Sequence, residues 1–159
     1  AMLPMGLRGE RLMISRASHK FWVREGKKRN APDSFRFIAG HVNASHNYPE
    51  EAIRCYRQIK GAAASQQPTL KLHLAIALLQ SAYRRTSKDP RGEVSEAMQL
   101  LREYYCSGGE SPEQQYNVAR AMHSCGFLGV AAHLYQQVLD SPASEYTRDA
   151  AYALHLIYR

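Results

Sequence analysis

Long apolar runs are missing from these 159 residues. Nothing approaches the roughly 20 consecutive apolar side chains that cross a bilayer, and no short apolar core follows a basic start. Cysteine is scarce: Cys55, Cys106 and Cys125 lie far apart, with no CxxC pair. Such an odd, scattered set argues against a secreted disulfide scaffold and for a reducing compartment, where thiols behave as small buried apolar groups. β-branched runs are nearly absent, which argues against strands. GxGxxG, the P-loop, HExxH and GxSxG are all missing, so no phosphate cradle, zinc helix or nucleophile elbow is encoded. The seven histidines (19, 41, 46, 73, 123, 133 and 155) are dispersed. His41 and His46 lack the i, i+4 spacing of a helical metal pair. His123 and Cys125, two apart on one helix, point to different faces. The sequence therefore predicts no enzyme, no cofactor, no metal and no small-molecule substrate.

What remains is a globular composition, 45% apolar and 22% charged, in a chain long enough for one domain to bury about two-thirds of its unfolded surface. The net charge of +7 is local. Residues 1–30 carry eight basic against two acidic side chains, +6, while residues 31–159 carry thirteen against twelve, +1. Lys20, Arg24, Lys27, Lys28 and Arg29 are candidate phosphate contacts, with Phe21 and Trp22 beside them for stacking. The competing reading is a solvated helix face running into a basic inter-helix loop, with both aromatics in the core. The opening Ala1-Met2 suggests a remnant ahead of the natural chain, and the whole an excised piece of something longer.

Ala, Leu, Gln, Arg and Glu dominate after residue 50, and breaks recur at Ala31-Pro32-Asp33, Gln66-Gln67-Pro68-Thr69, Lys88-Asp89-Pro90, Gly108 to Pro112 and Ser141-Pro142. The pattern predicts helices over about 9–27, 33–46, 49–60, 69–87, 93–106, 112–124, 128–140 and 145–159. Ser111-Pro112-Glu113-Gln114 has the form of a capping box with proline at the first helical position. Asp33 and Thr69 are weaker cap candidates.

A spacing repeats along the chain. Ala119 precedes Gly126 by seven residues, Ala131 follows five later, Tyr135 four after that, then Val138 and Pro142. Gly40, Ala52, Tyr56 and Ile59 share those offsets, and Ala75, Ala97, Leu101 and Tyr104 do so with extra length between helices. Small residues let paired helices approach, and the aromatic fills the groove to the next pair. This resembles the tetratricopeptide repeat. It implies an all-α superhelix of antiparallel helix pairs, about three repeats with half-repeats at both ends. One solenoid fragment, 1–159, is expected. It holds a basic helix at 8–30 (Ala17, Phe21), repeats at 33–66, 69–107 (long helices or an inserted loop) and 112–142, and a first helix at 145–159. The anchors Gly40, Ala75, Ala119 and His155 lie 35, 44 and 36 apart. Leu12, Ile14, Phe21 and Trp22 at one end, and Leu154, Leu156, Ile157 and Tyr158 at the other, leave apolar faces that neighbours would cover.

Residues 113–123 (EQQYNVARAMH), 126–139 (GFLGVAAHLYQQVL), 18–21 (SHKF), 39–44 (AGHVNA) and 148–158 (RDAAYALHLIY) together resemble the C-terminal repeats of the tetratricopeptide subunit of TFIIIC. TFIIIC is the general transcription factor of RNA polymerase III. The Arg-Asp-x-Ala-Tyr start at Arg148 lies outside the general repeat pattern. The chain departs from the family at 61–70, which is rich in Ala and Gln, at 84–94, and after Arg159. The resemblance implies a nuclear scaffold. It would support the half of TFIIIC that engages box A of tRNA genes, with other TFIIIC subunits and TFIIIB components as partners and promoter DNA in the assembled complex.

A repeat array of this kind binds through the concave face of its first helices. The register places Ser34, Phe37, His41 and Ser45 there in one repeat, and Glu113, Tyr116, Arg120, His123 and Ser124 in another. Tyr116 and Arg120, one turn apart, suit an extended acidic or aromatic-bearing peptide; the alternative is that Tyr116 and Phe37 only pack between repeats. Direct nucleic-acid binding through the basic segment is the competing function. A repeat adaptor outside transcription is a third, with only Asn43, Asn117 and Arg120 roughly placed for a carboxylate clamp.

Overall fold

Prolines that cannot continue a preceding helix open the next one, where their missing N–H costs nothing. A computed structural model describes residues 16–61, 67–84, 87–109, 111–141 and 144–159. The described residues form eight helices and no strand: α1 (Arg16–Gly26), α2 (Asp33–Ser45), α3 (Pro49–Arg57), α4 (Pro68–Tyr83), α5 (Pro90–Ser107), α6 (Pro112–Ser124), α7 (Leu128–Asp140) and α8 (Thr147–Tyr158). The expected helix at 9–27 is described from Arg16 onward; Leu12, Ile14 and the side chain of Ala17 lie outside the described residues.

Ser111 caps α6 as its sequence predicts: its hydroxyl accepts from Gln114 N–H, while Gln114 Oε1 accepts from Ser111 N–H at 3.1 Å. Asp33 and Thr69 are not caps. Pro32 and Gln67 hold those positions; Asp33 sits inside the first turn and accepts from the Gly61 N–H at 2.9 Å. α5 begins three residues earlier than expected, because Asp89 Oδ1 accepts from Gly92 N–H at 3.0 Å.

The turns inside two helix pairs are the same motif. After α6, Gly126 adopts φ 82°, and the amides of Gly126 and Phe127 return to His123 O and Met122 O. After α2, Asn47 takes φ 72°, and the amides of Asn47 and Tyr48 return to Ala44 O and Asn43 O. Both are Schellman closures, which need a residue at ease in the left-handed region. With so short a link and packed faces, each pair runs antiparallel.

Two compact units emerge, Ala1–Leu100 and Leu101–Arg159. In the first, α1 packs on α2, α2 on α3, and α3 on α4, with α2 also touching α4. A Cβ on Gly40 would overlap the Tyr56 ring, so this glycine is the price of that aromatic fill. Ala39, Ala52 and Ala75 are fully buried, and Tyr56 is 2% exposed. In the second unit α6 packs on α7 and α7 on α8, closing over Ala119, Ala131, Tyr135 and Val138. Ala97 and Leu101 of α5 are buried as well. The fold is all-α, built of adjacent tetratricopeptide-like helix pairs.

Three expectations are corrected. His155 is exposed, and the buried small residues of α8 are Ala150 and Ala153, which lie earlier on the packed face. Phe21 does not fill a closed groove; it is 46% exposed and meets Trp22 edge-on at 5.2 Å. Cys106 is exposed at the end of α5, whereas Cys55 and Cys125 are buried and burial raises both thiols above the ordinary value.

Candidate functional site

The expected binding face separates into two clusters, one in each unit. On α2, Phe37 lies against the buried Tyr56 (5.9 Å between centroids) and meets His73 of α4 edge-on at 5.3 Å. His41, one turn on, also meets the His73 edge at 5.2 Å, and lost hydration on that side lowers its pKa below the ordinary 6.5. Ser34 is exposed on the same helix. Ser45 belongs elsewhere: its hydroxyl donates to Val42 O and faces His46.

On α6, the ring of Tyr116 occupies the position equivalent to Phe37 and makes the equivalent contact. It lies 5.8 Å from Tyr135, tilted 55°, where Phe37 is tilted 52° to Tyr56. Its other face stacks on Tyr146, 5.2 Å away at 24°, and the Arg120 guanidinium stands 5.7 Å from its centroid. Tyr116 therefore both packs and shows itself, being half-buried. Among the described residues Arg120 forms no ion pair. His123 is half-buried, edge-on to Tyr135 at 6.0 Å, and Ser124 turns back to Ala121 O.

Carboxylates surround this second cluster. Burial first, then a hydrogen bond to Glu145 and the charge of Glu113, push the Tyr146 phenol up to about 12. The Tyr116 phenol is raised by burial, opposed by Arg120 and assisted by Asp149. Tyr135, sealed beneath, is raised by burial and by Tyr116. The charge of the whole chain divides in the same sense: residues 1–100 hold seventeen basic and eight acidic side chains, +9, and residues 101–159 hold four and six, −2.

The candidate phosphate contacts are partly spoken for. Arg24 and Lys28 both reach Glu25, whose carboxyl is held below its usual range chiefly by the Lys28 hydrogen bond. Lys27 faces Glu51 of α3 at 3.5 Å. Lys20 and Arg29 are exposed, and the Arg29 carbonyl accepts from Arg36. Of the clamp candidates, Asn43 is 2% exposed and Asn117 donates to the Tyr104 hydroxyl at 2.9 Å.

His73 and Tyr146 complete the two clusters, yet neither follows from the repeat spacing, because each arrives from the next helix along. The described residues hold no group of three metal-ligating side chains and no helix long and apolar enough to cross a membrane.

No family model matches the chain. It is similar to General transcription factor 3C polypeptide 3 of Homo sapiens, 26% identical over 163 residues, covering 94% of this chain and 16% of that protein. The chain thus spans about one sixth of its curated relative's length.

Proposed function

We propose that this chain is part of a helical-repeat scaffold in a TFIIIC-type general transcription factor, working in the nucleus by holding other subunits of that factor. The observation that carries the reading is a duplicated geometry. Two helix pairs present the same aromatic platform, Phe37 on Tyr56 and Tyr116 on Tyr135, with a basic or imidazole side chain one turn on. They do so in a chain similar over nearly its full length to a transcription-factor polypeptide. Stacked pairs of this kind hold extended binding faces rather than reaction centres, although the fold by itself assigns no role. In the finer form of the proposal, the scaffold supports the box-A-binding half of the factor at tRNA genes. Its partners are other TFIIIC subunits and TFIIIB components, with promoter DNA in the assembly.

The test mixes the chain with each recombinant TFIIIC subunit, and separately with a box-A duplex, at low and high salt. Salt-resistant binding to one subunit, lost with Tyr116→Ala and Arg120→Glu, is the expected result. Tight, salt-sensitive DNA binding with no subunit bound would overturn it in favour of the basic segment, whose exposed Lys20 and Arg29 are the observation behind that second reading. A clamp-type adaptor is disfavoured, since Asn43 is buried and Asn117 is engaged.

A further inference from the structure

The helices α2, α6 and α8 align in register on Gly40, Ala119 and His155. On the face toward the preceding helix they agree. Ala39, Val118 and Leu154, one residue before those anchors, are all buried. A Cβ on Gly26 of α1 would strike the Ala39 methyl, and α8 packs on α7. On the face toward the following helix they part. Three residues before the anchor, Phe37 lies against Tyr56 of α3 and Tyr116 against Tyr135 of α7. Three residues after it, Asn43 and Met122 are buried. The corresponding residues of α8 are Tyr152 and Tyr158, and both are exposed, Tyr158 to 77%, with His155 exposed between them. This face of α8 is the seat of a second helix, and among the described residues nothing covers it.

α1 is open in the opposite sense. Phe21 follows Ala17 by four residues, as Tyr56 follows Ala52 and Tyr135 follows Ala131. Like α3 and α7, α1 packs on the helix that comes next. Yet Tyr56 and Tyr135 are sealed, whereas Phe21 is exposed. We infer that the two open halves complete one repeat between copies: α1 of one chain lies antiparallel on α8 of another, with Phe21 between Tyr152 and His155. The occupant is a second copy because this chain itself carries the helix that fits the seat, with its ring uncovered. His155, where the internal pairs have glycine or alanine, keeps the helices further apart and offers Phe21 a ring edge rather than a slot. Arg24 stands at the interval of Ile59 and Val138, and the exposed Tyr158 ring accepts a guanidinium. Arg148 and Asp149 offset each other at the start of α8, so the contact is aromatic more than ionic. It is heterologous, and each added copy leaves one α1 and one α8 open. The inference goes beyond the scaffold reading and needs no other protein.

Sedimentation velocity of the full 159-residue chain tests it, with reductant present so that the exposed Cys106 cannot cross-link. The sedimentation coefficient rises along a concentration series reaching about 1 mM. Phe21→Glu and Tyr158→Glu each weaken association by about tenfold or more. Both side chains are exposed, so circular dichroism shows unchanged helix content. Tyr152→Glu repeats the second result from a different residue. Mixed in equal amounts, Phe21→Glu and Tyr158→Glu chains form a dimer and nothing larger, because one intact α8 and one intact α1 remain between them. A chain that stays monomeric throughout the series overturns the inference. So do single variants that still self-associate, which would mean a symmetric contact or another face, and so does a mixture that stays monomeric.

Discussion

At the scale of single residues, two buried aromatic neighbourhoods give opposite lessons about polar atoms. Among the described residues the buried Tyr56 hydroxyl has no hydrogen-bond partner, in a side chain 2% exposed. Burial first, then the neighbouring Cys55 thiol, drives its pKa up, so the folded protein favours the neutral phenol. Tyr56→Phe deletes the orphan oxygen and keeps the ring over Gly40; stability should hold or rise by about 1 kcal/mol in urea unfolding. Gly40→Ala is the converse, forcing a methyl into that ring and costing about 1–3 kcal/mol in the same assay. His19 tests the electrostatics. Its ring lies 4.4 Å from that of His46 and 5.9 Å from that of Tyr48. Burial first, then the His46 charge, lower its pKa below 6.5. The folded state therefore prefers the neutral ring, and the unfolded chain binds more protons. By linkage, docking of α1 is complete above pH 6.5 and weakens as the pH falls below it. Trp22, packed on Phe35 at 5.4 Å, is the chain's one tryptophan. Its fluorescence should shift on acidification, and His19→Phe should flatten that response.

At the scale of elements, helix starts were misread where Asp33 and Asp89 act through neighbours in sequence, and legible where proline and serine do. The Ser111 box is one instance; Ser111→Ala should cost about 1 kcal/mol in thermal unfolding. The small–aromatic spacing was equally readable: Ala52, Tyr56, Ala131 and Tyr135 are all 2% exposed or less. Less legible was anything decided across helices. His73 and Tyr146 complete the two aromatic clusters from the following helix, and no spacing rule within one pair reaches them. The turn at Asn47 is intermediate: it lies seven residues after Gly40, as Gly126 does after Ala119. Asparagine's tolerance of the left-handed region, φ 72° here, was the available signal. His155 misled because it sits at the repeat interval, yet α8 turns Ala150 and Leu154 inward instead.

At the scale of the whole molecule, charge is segregated more completely than the first thirty residues suggest, since the change of sign follows the division into units. The basic surface should still be a modest ligand for DNA. Of the five candidate contacts, Arg24, Lys27 and Lys28 face carboxylates, so Lys20 and Arg29 remain, and these two should contribute a log–log salt slope of about −2 to duplex affinity, lost with Lys20→Gln and Arg29→Gln. Anisotropy across a salt series measures it; a double change that flattens the slope by several units would mean that the paired cations are released to phosphate as well. The fate of the three thiols has a practical corollary. Cys55 and Cys125 are buried and Cys106 faces solvent at the end of α5, so a maleimide dye should couple once per native chain, at that helix end, as intact mass would show. The protein carries its own handle for a fluorophore, a spin probe or a tether to a surface, without a single engineered residue.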